Sequence, residues 1–490
     1  MHTAYGRAPV RDSRTVSVLN ETLRRKNTSL EGASELSGVA LADLRKLHDG
    51  DAASIRVSTL IALCTALDCA PEDVLRVQNQ PQQISLRKEG LIRRTVAYQS
   101  RVLSTLALLA GSTLSVWFLV AVVSQINPVD FYVYHYAASL AFAGENIYAG
   151  NIQGIDMPAG GLPFTYAPFA ALVLLPLNLF PAPVAYLLWS GASALIMTSV
   201  LRNLLPPVHR NKPFIVGALA LTASGSIVMA SHIIFGQINV FLMALVLFDV
   251  CRNNEGRFLR RIPRGALIGV AAAVKLTPAL FIVYFIISGQ KRAAAGSALA
   301  AGAATVLAFM IFPEMSLDFM TRVLWNLSDT VSLNGFFATS GNNSIQGAFA
   351  ALGTWTALPA LVLTLAVAAL GLNAASITYR RGEAVQAAII VGLTACLVSP
   401  VSWMHHWVYL LPGLIVLWKQ GGQKTRAFCY VSAVILLATG PNLGDILFSF
   451  DQPLLLPLAV TLRESLLLMG IVSIALLARG VRDRVTDSDS

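Results

Sequence analysis

A few side chains in this sequence are of the kinds and spacings that do chemistry. Asp130 opens a segment, residues 130–166, that reads DFYVYHYAASLAFAGENIYAGNIQGIDMPAGGLPFTY. An acid just past the end of an apolar run sits at a water interface and stays ionised. Tyr132, Tyr134, His135, Tyr136 and Tyr148 follow it, aromatic and hydrogen-bonding residues of the sort that line sugar-binding surfaces. Gly160, Gly161 and Pro163 then turn the chain back toward lipid. Lys275 lies in the middle of an apolar run, where an ionisable group is expensive and signals function. His405 and His406 lie among Trp403 and Trp407 in SPVSWMHHWVYLLP, residues 399–412. Adjacent residues point to different faces of a helix, so one of the two histidines is expected to enter a cavity. Arg463 and Glu464 form a further polar pair near the end of the last apolar run.

These groups must be positioned by membrane helices. The chain has 490 residues, 55% hydrophobic and only 13% charged, with a mean hydropathy of +0.63. Soluble domains carry about 25% charged residues, so a polytopic membrane protein is expected. The net charge of +10 fits basic cytoplasmic loops rather than a nucleic-acid surface. Five cysteines (Cys64, Cys69, Cys251, Cys396, Cys429) show neither metal-type spacing nor a disulfide framework. No signal peptide opens the chain, so the N-terminus is expected to stay in the cytoplasm.

A basic cluster at residues 87–101 holds the inner side, so a first span at about 102–126 runs outward and leaves Asp130 outside. Residues 167–180 are expected to lie at the interface. Spans follow at about 182–203, 213–232 and 237–251. The run 265–288 is flanked by Arg260, Arg261 and Arg264 on one side and Lys291 and Arg292 on the other. It is expected to enter and leave on one side, broken near Pro278, with Lys275 at the apex. Further spans at about 293–312, 354–378, 384–402, 406–418, 427–443 and 455–478 bring the count to about twelve membrane helices, half-helices counted separately. Residues 313–350 form a long outer loop, and both termini are cytoplasmic. The expected fold is all-α.

The order of the motifs carries a resemblance. An acid in the first outer loop, GENIY (144–148), LPFTYAPF (162–169), GQINVFL (236–242), KLTP (275–278), GNNSIQG (341–347) and the S-P-x-S-W-x-H-H pattern together resemble glycosyltransferase family 87. This family comprises polyprenyl-phosphate-dependent enzymes of the membrane GT-C class, and the similarity spans about residues 102–480. The resemblance implies an inverting transfer of a sugar from a polyprenyl-phosphate donor to a lipoglycan or mannolipid on the outer face of the membrane. Mannose in α-1,2 linkage is the expected sugar, with arabinose from decaprenyl phosphate as the alternative. The leaving phosphate is already ionised at neutral pH, so one base to deprotonate the acceptor hydroxyl suffices. Asp130 is the candidate. Lys275, His405, His406 and Arg463 are candidates to hold the donor phosphate as charge develops. Tyr134, Tyr148, Tyr166, Gln237, Asn239, Asn343 and Trp403 are candidates for sugar and acceptor binding. No D-x-D pair accompanies Asp130, so neither a metal nor another cofactor is compelled. A transporter or flippase of lipid-linked sugars is the rival from another class, since broken helices with midplane charges occur there too. The polar outer loop argues for the enzyme.

Residues 1–80 form a separate cytoplasmic unit, followed by a basic linker at 81–101, the membrane domain at 102–480 and a tail at 481–490. LIALCTALDCAPEDVL (60–75) resembles the closing helices of Cro/repressor helix-turn-helix domains, and five helices are expected. Arg45, Lys46 and His48 would lie on its recognition helix. Ten Lys and Arg balance ten Asp and Glu in this unit, which argues against DNA as a partner. Deleting residues 1–80 while keeping 87–101 is therefore expected to leave transfer per inserted molecule within a few-fold of the intact protein. Initial rates normalised to the amount of inserted protein check this; complete loss by a well-inserted truncation contradicts it.

Overall fold

The structure is a computed structural model that describes residues 13–49, 55–79, 128–154, 157–251, 262–326, 341–350 and 352–479, together with positions 105, 106, 108 and 111. Most of the first expected span, the basic linker, residues 252–261 and the C-terminal tail lie outside the described residues. Two compact units divide the chain, Met1–Tyr98 and Gln99–Ser490.

The N-terminal unit holds helices α1 (Leu19–Arg25), α2 (Leu30–Ser37), α3 (Leu41–His48) and α4 (Val57–Ala66). Ser29 caps α2 by accepting from the Gly32 N–H at 3.0 Å. Gly38, at φ +65°, ends it. Leu19, Leu23, Leu44, Leu47, Leu63 and Val74 fill the core. Where a fifth helix was expected, only a 3-10 turn forms at Pro71–Asp73. The all-α expectation also misses an antiparallel ribbon, β1 (Ser13–Ser17) with β2 (Leu75–Asn79), in which Ser17 pairs with Leu75. Both strands are short and lie at the edges of the helical pattern, where alternation over five residues is weak beside strong 3.6-residue periodicity.

In the second unit, α5 (Val129–Phe142) and α6 (Pro168–Leu174, continued by a 3-10 turn to Leu179) flank the segment 143–167. Three helices are long and apolar enough to cross a membrane: α7 (Ala182–Leu204), α13 (Lys291–Ile311) and α16 (Ala357–Arg380). Three bent pairs raise the number to six among the described residues. These are α8 (Pro213–Gly225) with α9 (Ile227–Phe235), α19 (Gln423–Leu437) with α20 (Gly440–Ser449), and α21 (Leu456–Arg463) with α22 (Ser465–Arg479), bent by 69°, 65° and 64°. The sequence predicts none of these bends and reads each pair as one continuous span. Their causes are local. Ser226 leaves the helical conformation and caps α9 by accepting from the Met229 N–H. Thr439 takes φ +52° ahead of Gly440 and Pro441. Glu464, at φ −90° and ψ 15°, leaves the helical conformation between α21 and α22.

Shorter helices complete the unit: α10 (Asn239–Cys251), α11 (Ala266–Val274), α12 (Leu280–Ile287), α14 (Pro313–Asp318), α15 (Ile345–Ala350), α17 (Ala384–Val398) and α18 (Leu410–Gln420). The break expected near Pro278 is present. Helix α11 stops at Val274, Lys275 is extended (φ −139°, ψ 137°), and a 3-10 turn at Thr277–Ala279 leads into α12. Pro278 has no N–H, and its ring would meet the carbonyl of residue 274 in a continuous helix. Helix α17 is the buried centre, with every residue from 386 to 397 buried.

Buried polar groups and small residues bring these helices together. Asp249 on α10 accepts hydrogen bonds from the N–H groups of Gly265, Leu267 and Ile268 (3.1, 3.0 and 3.4 Å), closing the open start of α11. Helices α11 and α13 touch through backbone: a Cβ at Gly269 would lie 2.2 Å from the Ser297 carbonyl oxygen. Such contacts replace the hydrophobic driving force that lipid does not supply. Gly269→Val is therefore expected to destabilise the protein by at least ~1–3 kcal/mol, the usual cost of overpacking. Gly302→Val on the same helix pair, where a Cβ meets nothing within 4 Å, is the control. Thermal unfolding in detergent checks this: equal transition temperatures would show that the α11–α13 contact yields.

Candidate active site

Asp130 lies in the first turn of α5, and the end of α9 is built to meet it. Gly236 closes α9 at φ +69°, and a Cβ there would lie 2.4 Å from the Cβ of Phe131. Glycine therefore lets the two helix ends touch and delivers the next residue, Gln237, to the carboxylate. Gln237 Nε2 donates to Asp130 Oδ2 at 2.5 Å. Two steps on, Asn239 begins α10 and donates from Nδ2 to the His405 carbonyl at 3.1 Å.

Lys275 reaches the same place from the break between α11 and α12. Its Nζ donates to Asn239 Oδ1 at 2.9 Å, lies 3.2 Å from His406 Nε2 and sits 5.3 Å from the centre of the Tyr166 ring. A lysine ammonium only donates, so His406 presents the lone pair of Nε2 to it. His405 Nδ1 lies 3.3 Å from the Ser231 hydroxyl, and its Nε2 has no partner among the described residues.

These groups line one cavity of about 1270 Å³. Asp130, Tyr134, Tyr166, Gln237, Lys275, Trp403, His405 and His406 all contribute to its wall. Leu276, Leu280, Val283, Ile227, Val398 and Trp325 make much of the remainder apolar. Asn239 opens instead onto a small adjoining cavity shared with Lys275 and His406. Asp130 is half-buried rather than freely solvated as the sequence suggested. Helix α5 is not among the helices long and apolar enough to cross a membrane, and burial there pushes the carboxyl up to about 6. The Gln237 hydrogen bond and the Lys275 charge act in the opposite direction.

Both histidines line the cavity, against the expectation of one. They fall in a 3-10 turn at Met404–Tyr409 rather than an α-helix, with ring centres 4.8 Å apart and planes at 80°. Other candidates stand apart. Arg463 is 3.7 Å from Asp445 and 3.8 Å from Glu464, over the Phe448 ring, and does not line the cavity. Tyr148 lies beneath it, donating to the Tyr166 carbonyl at 2.7 Å. Asn343 holds the loop of Trp403 in place, its N–H donating to the Ser402 carbonyl at 2.8 Å.

Sequence reasoning missed several supports. Asn342 accepts from the Ser402 N–H at 2.9 Å and donates to the Pro400 carbonyl at 3.2 Å, pinning the loop before the histidines. His232 Nε2 accepts from the Val240 N–H at 3.1 Å and fixes the α9–α10 corner. Asp318 and Arg322 latch the segment that follows α5: Arg322 donates to the Tyr148 carbonyl at 2.8 Å, and Asn146 donates to Asp318 at 3.1 Å. Hydrogen bonds from Arg322 hold the Asp318 carboxyl below its usual range. No spacing rule links these partners, which lie as far as 174 residues apart. Among the described residues no group of three His, Cys, Asp or Glu side chains converges as a metal site.

Apolar helices enclosing a large cavity with a few convergent polar groups define a polytopic membrane protein with an internal site. Residues 164–400 match the model of Glycosyltransferase family 87, and residues 18–80 that of the Cro/C1-type HTH DNA-binding domain. The chain is 31% identical over 342 residues to a polyprenol-phosphate-mannose-dependent alpha-(1-2)-phosphatidylinositol mannoside mannosyltransferase of Mycobacterium tuberculosis, covering 64% of this chain and 76% of that one. A second enzyme of that species, named for phosphatidylinositol pentamannoside, is 32% identical over 59% of this chain and 66% of its own length. A crystal structure of ArnT from Cupriavidus metallidurans bound to undecaprenyl phosphate covers 77% of this chain and 78% of that one, at 15% identity and a TM-score of 0.35. The chain belongs to glycosyltransferase family 87. It is a membrane glycosyltransferase that also carries an N-terminal helix-turn-helix unit.

Proposed function

We propose that this protein transfers mannose from a polyprenyl-phosphate carrier to a mannolipid or lipoglycan, in α-1,2 linkage and with inversion, at the outer face of the cytoplasmic membrane. The donor follows the names of the relatives, and a phosphatidylinositol mannoside acceptor is the first to test. The reading includes a bundle of about twelve membrane helices, half-helices counted, with both termini cytoplasmic.

One observation carries it: a carboxylate and a lysine open onto the same cavity and are joined through Gln237 and Asn239. Asp130 takes the proton of the acceptor hydroxyl as its oxygen attacks the anomeric carbon. The bond from that carbon to the phosphate oxygen breaks, and polyprenyl phosphate leaves with the electron pair. Lys275 and the His405 Nε2 edge meet the charge that grows on the leaving phosphate. The apolar walls suit a lipid-borne donor.

Asp130→Asn is expected to lower the transfer rate by at least ~10²–10⁴-fold, the usual contribution of a positioned base, while donor binding persists. The acid limb of kcat/KM is expected near pH 6, because a carboxyl raised to about 6 serves as a base only when deprotonated. Activity is thus present above that pH and lost as pH falls through it. Rates in membranes given labelled polyprenyl-phosphate mannose check both statements. An Asn variant above about a tenth of the wild-type rate removes Asp130 from the mechanism.

Lys275→Ala is expected to weaken donor binding roughly 10–100-fold, as for the loss of a charged hydrogen bond, with acceptor KM little changed. Lys275→Arg restores part of it, since charge is kept while shape and hydration differ. Binding of the labelled donor, measured beside turnover, decides. Unchanged donor affinity in the Ala variant makes Lys275 a structural residue.

A further inference from the structure

Gln237 was grouped with the sugar-binding candidates, but its surroundings give it other work. Its backbone is held from both sides: the N–H donates to the His232 carbonyl at 2.9 Å, and the carbonyl accepts from Trp189 Nε1 at 3.1 Å. The side chain is buried, with 5% of its surface exposed, which leaves little of the amide for a ligand.

The orientation of that amide follows from its neighbours. Asn239 has two partners that admit one assignment: Lys275 Nζ only donates, so it faces Oδ1, and the His405 carbonyl only accepts, so it faces Nδ2. The Nδ2 group therefore also points at Gln237, 3.3 Å away, and the atom it meets must be Oε1. The Tyr134 and Tyr166 hydroxyls, 3.2 and 3.4 Å from the same oxygen and 2.6 Å from each other, leave one further proton to donate to it. With Oε1 so occupied, Nε2 has one direction left, toward Asp130 Oδ2. A flipped amide would set its oxygen against a carboxylate and its NH₂ against another NH₂.

We infer that Gln237 is a positioning residue for the transfer reaction: it clamps one oxygen of Asp130, so that the other faces the acceptor hydroxyl, and its own orientation is enforced through Asn239 by Lys275. The inference rests on Asp130 being the base. It assigns the G-Q-I-N run one purpose. Glycine allows the helix ends to touch, glutamine holds the base, and asparagine ties that hold to the lysine two elements away. A donated hydrogen bond favours the charged form of the carboxylate, and the clamp fixes which lone pair meets the proton. The other titratable groups facing Asp130 are Lys275 from the broken run, Tyr134 on its own helix and Tyr166 from the outer loop; all three remain in the variants below.

The test compares wild type, Gln237→Met, Gln237→Glu and Asp130→Asn in membranes, with labelled polyprenyl-phosphate mannose and a phosphatidylinositol mannoside. The pH dependence of kcat and the KM for each substrate are read per inserted molecule. Methionine keeps length and removes the donor, so kcat is expected to fall about 10–100-fold. The acid limb moves up by about one pH unit, and both KM values stay within about threefold. Glutamate puts a second carboxylate against the first and moves the limb further in the same direction. A sugar-binding or merely structural role would instead raise a KM or reduce insertion, with the limb at its wild-type position; that result in either Gln237 variant overturns the inference. Should methionine prevent insertion, the near-isosteric Glu variant carries the test. An active Asp130→Asn protein removes the base itself. An inactive one beside unmoved Gln237 profiles removes only the clamp.

Discussion

The site depends on one constraint: polar groups buried among apolar side chains must satisfy each other. An unpaired amide or charge in such surroundings costs several kcal/mol. Asp130, Gln237, Asn239 and Lys275 meet that demand as a continuous series, each group donating to or accepting from the next. The two ends of the series are the opposite charges and the middle is two neutral amides. The charges therefore hold each other at a distance without collapsing into a direct ion pair. A cavity remains between them, large enough for a ligand, and both charges stay available to it. Replacing the amides with apolar residues would leave each charge to find water or the other charge.

Helix breaks make this arrangement possible. In a continuous α-helix, side chains project outward and the backbone is closed to contact. At Lys275 the backbone is extended, so the lysine leaves its helix end sideways rather than along a helix face. At Gly236 the αL turn brings the next residue across to α5. At Met404–Tyr409 a tighter helix turns two adjacent imidazoles into the same space. Each break exposes backbone groups that need partners. The Asn342 side chain supplies one just before the 404–409 turn, and the His232 ring supplies one just after Gly236. Supports of this kind recur wherever non-helical backbone is buried among membrane helices.

How much of this was legible in the sequence follows from the range of each signal. Composition gave the membrane class, because hydropathy sums over many residues. Pro278 marked a break because proline acts within four residues of itself, and Lys275 stood out because that break puts a charge in mid-run, too far from either end to snorkel. The bends at Ser226, Thr439 and Glu464 were not legible. Serine and threonine sit in membrane helices without bending them whenever their hydroxyls bond back to the preceding turn, as Thr198 and Thr394 do here. The two-histidine expectation assumed α-helical spacing and failed for a 3-10 turn. Arg463 illustrates the other limit. Its rarity in an apolar run was visible, but its acidic neighbour Asp445, 18 residues earlier, was not connected to it by any periodicity.

The motif G-Q-I-N shows what a resemblance can and cannot deliver. Family likeness picks out the stretch but assigns no work to its members, and polar residues in a sugar-handling enzyme default to sugar binding. The geometry separates them by asking which atoms are already used. Trp403, His405 and Tyr166 line the cavity wall, where an entering ligand would meet them. Gln237 and Asn239 have their amides committed on both sides, so any ligand that displaced those bonds would first have to undo the link between the two charges. Residues with saturated hydrogen bonds hold a site in shape; those with an unused donor or acceptor at its wall are the ones left to recognise what enters. By that criterion His405 Nε2, buried at the cavity wall without a partner among the described residues, is the group most in need of a ligand oxygen.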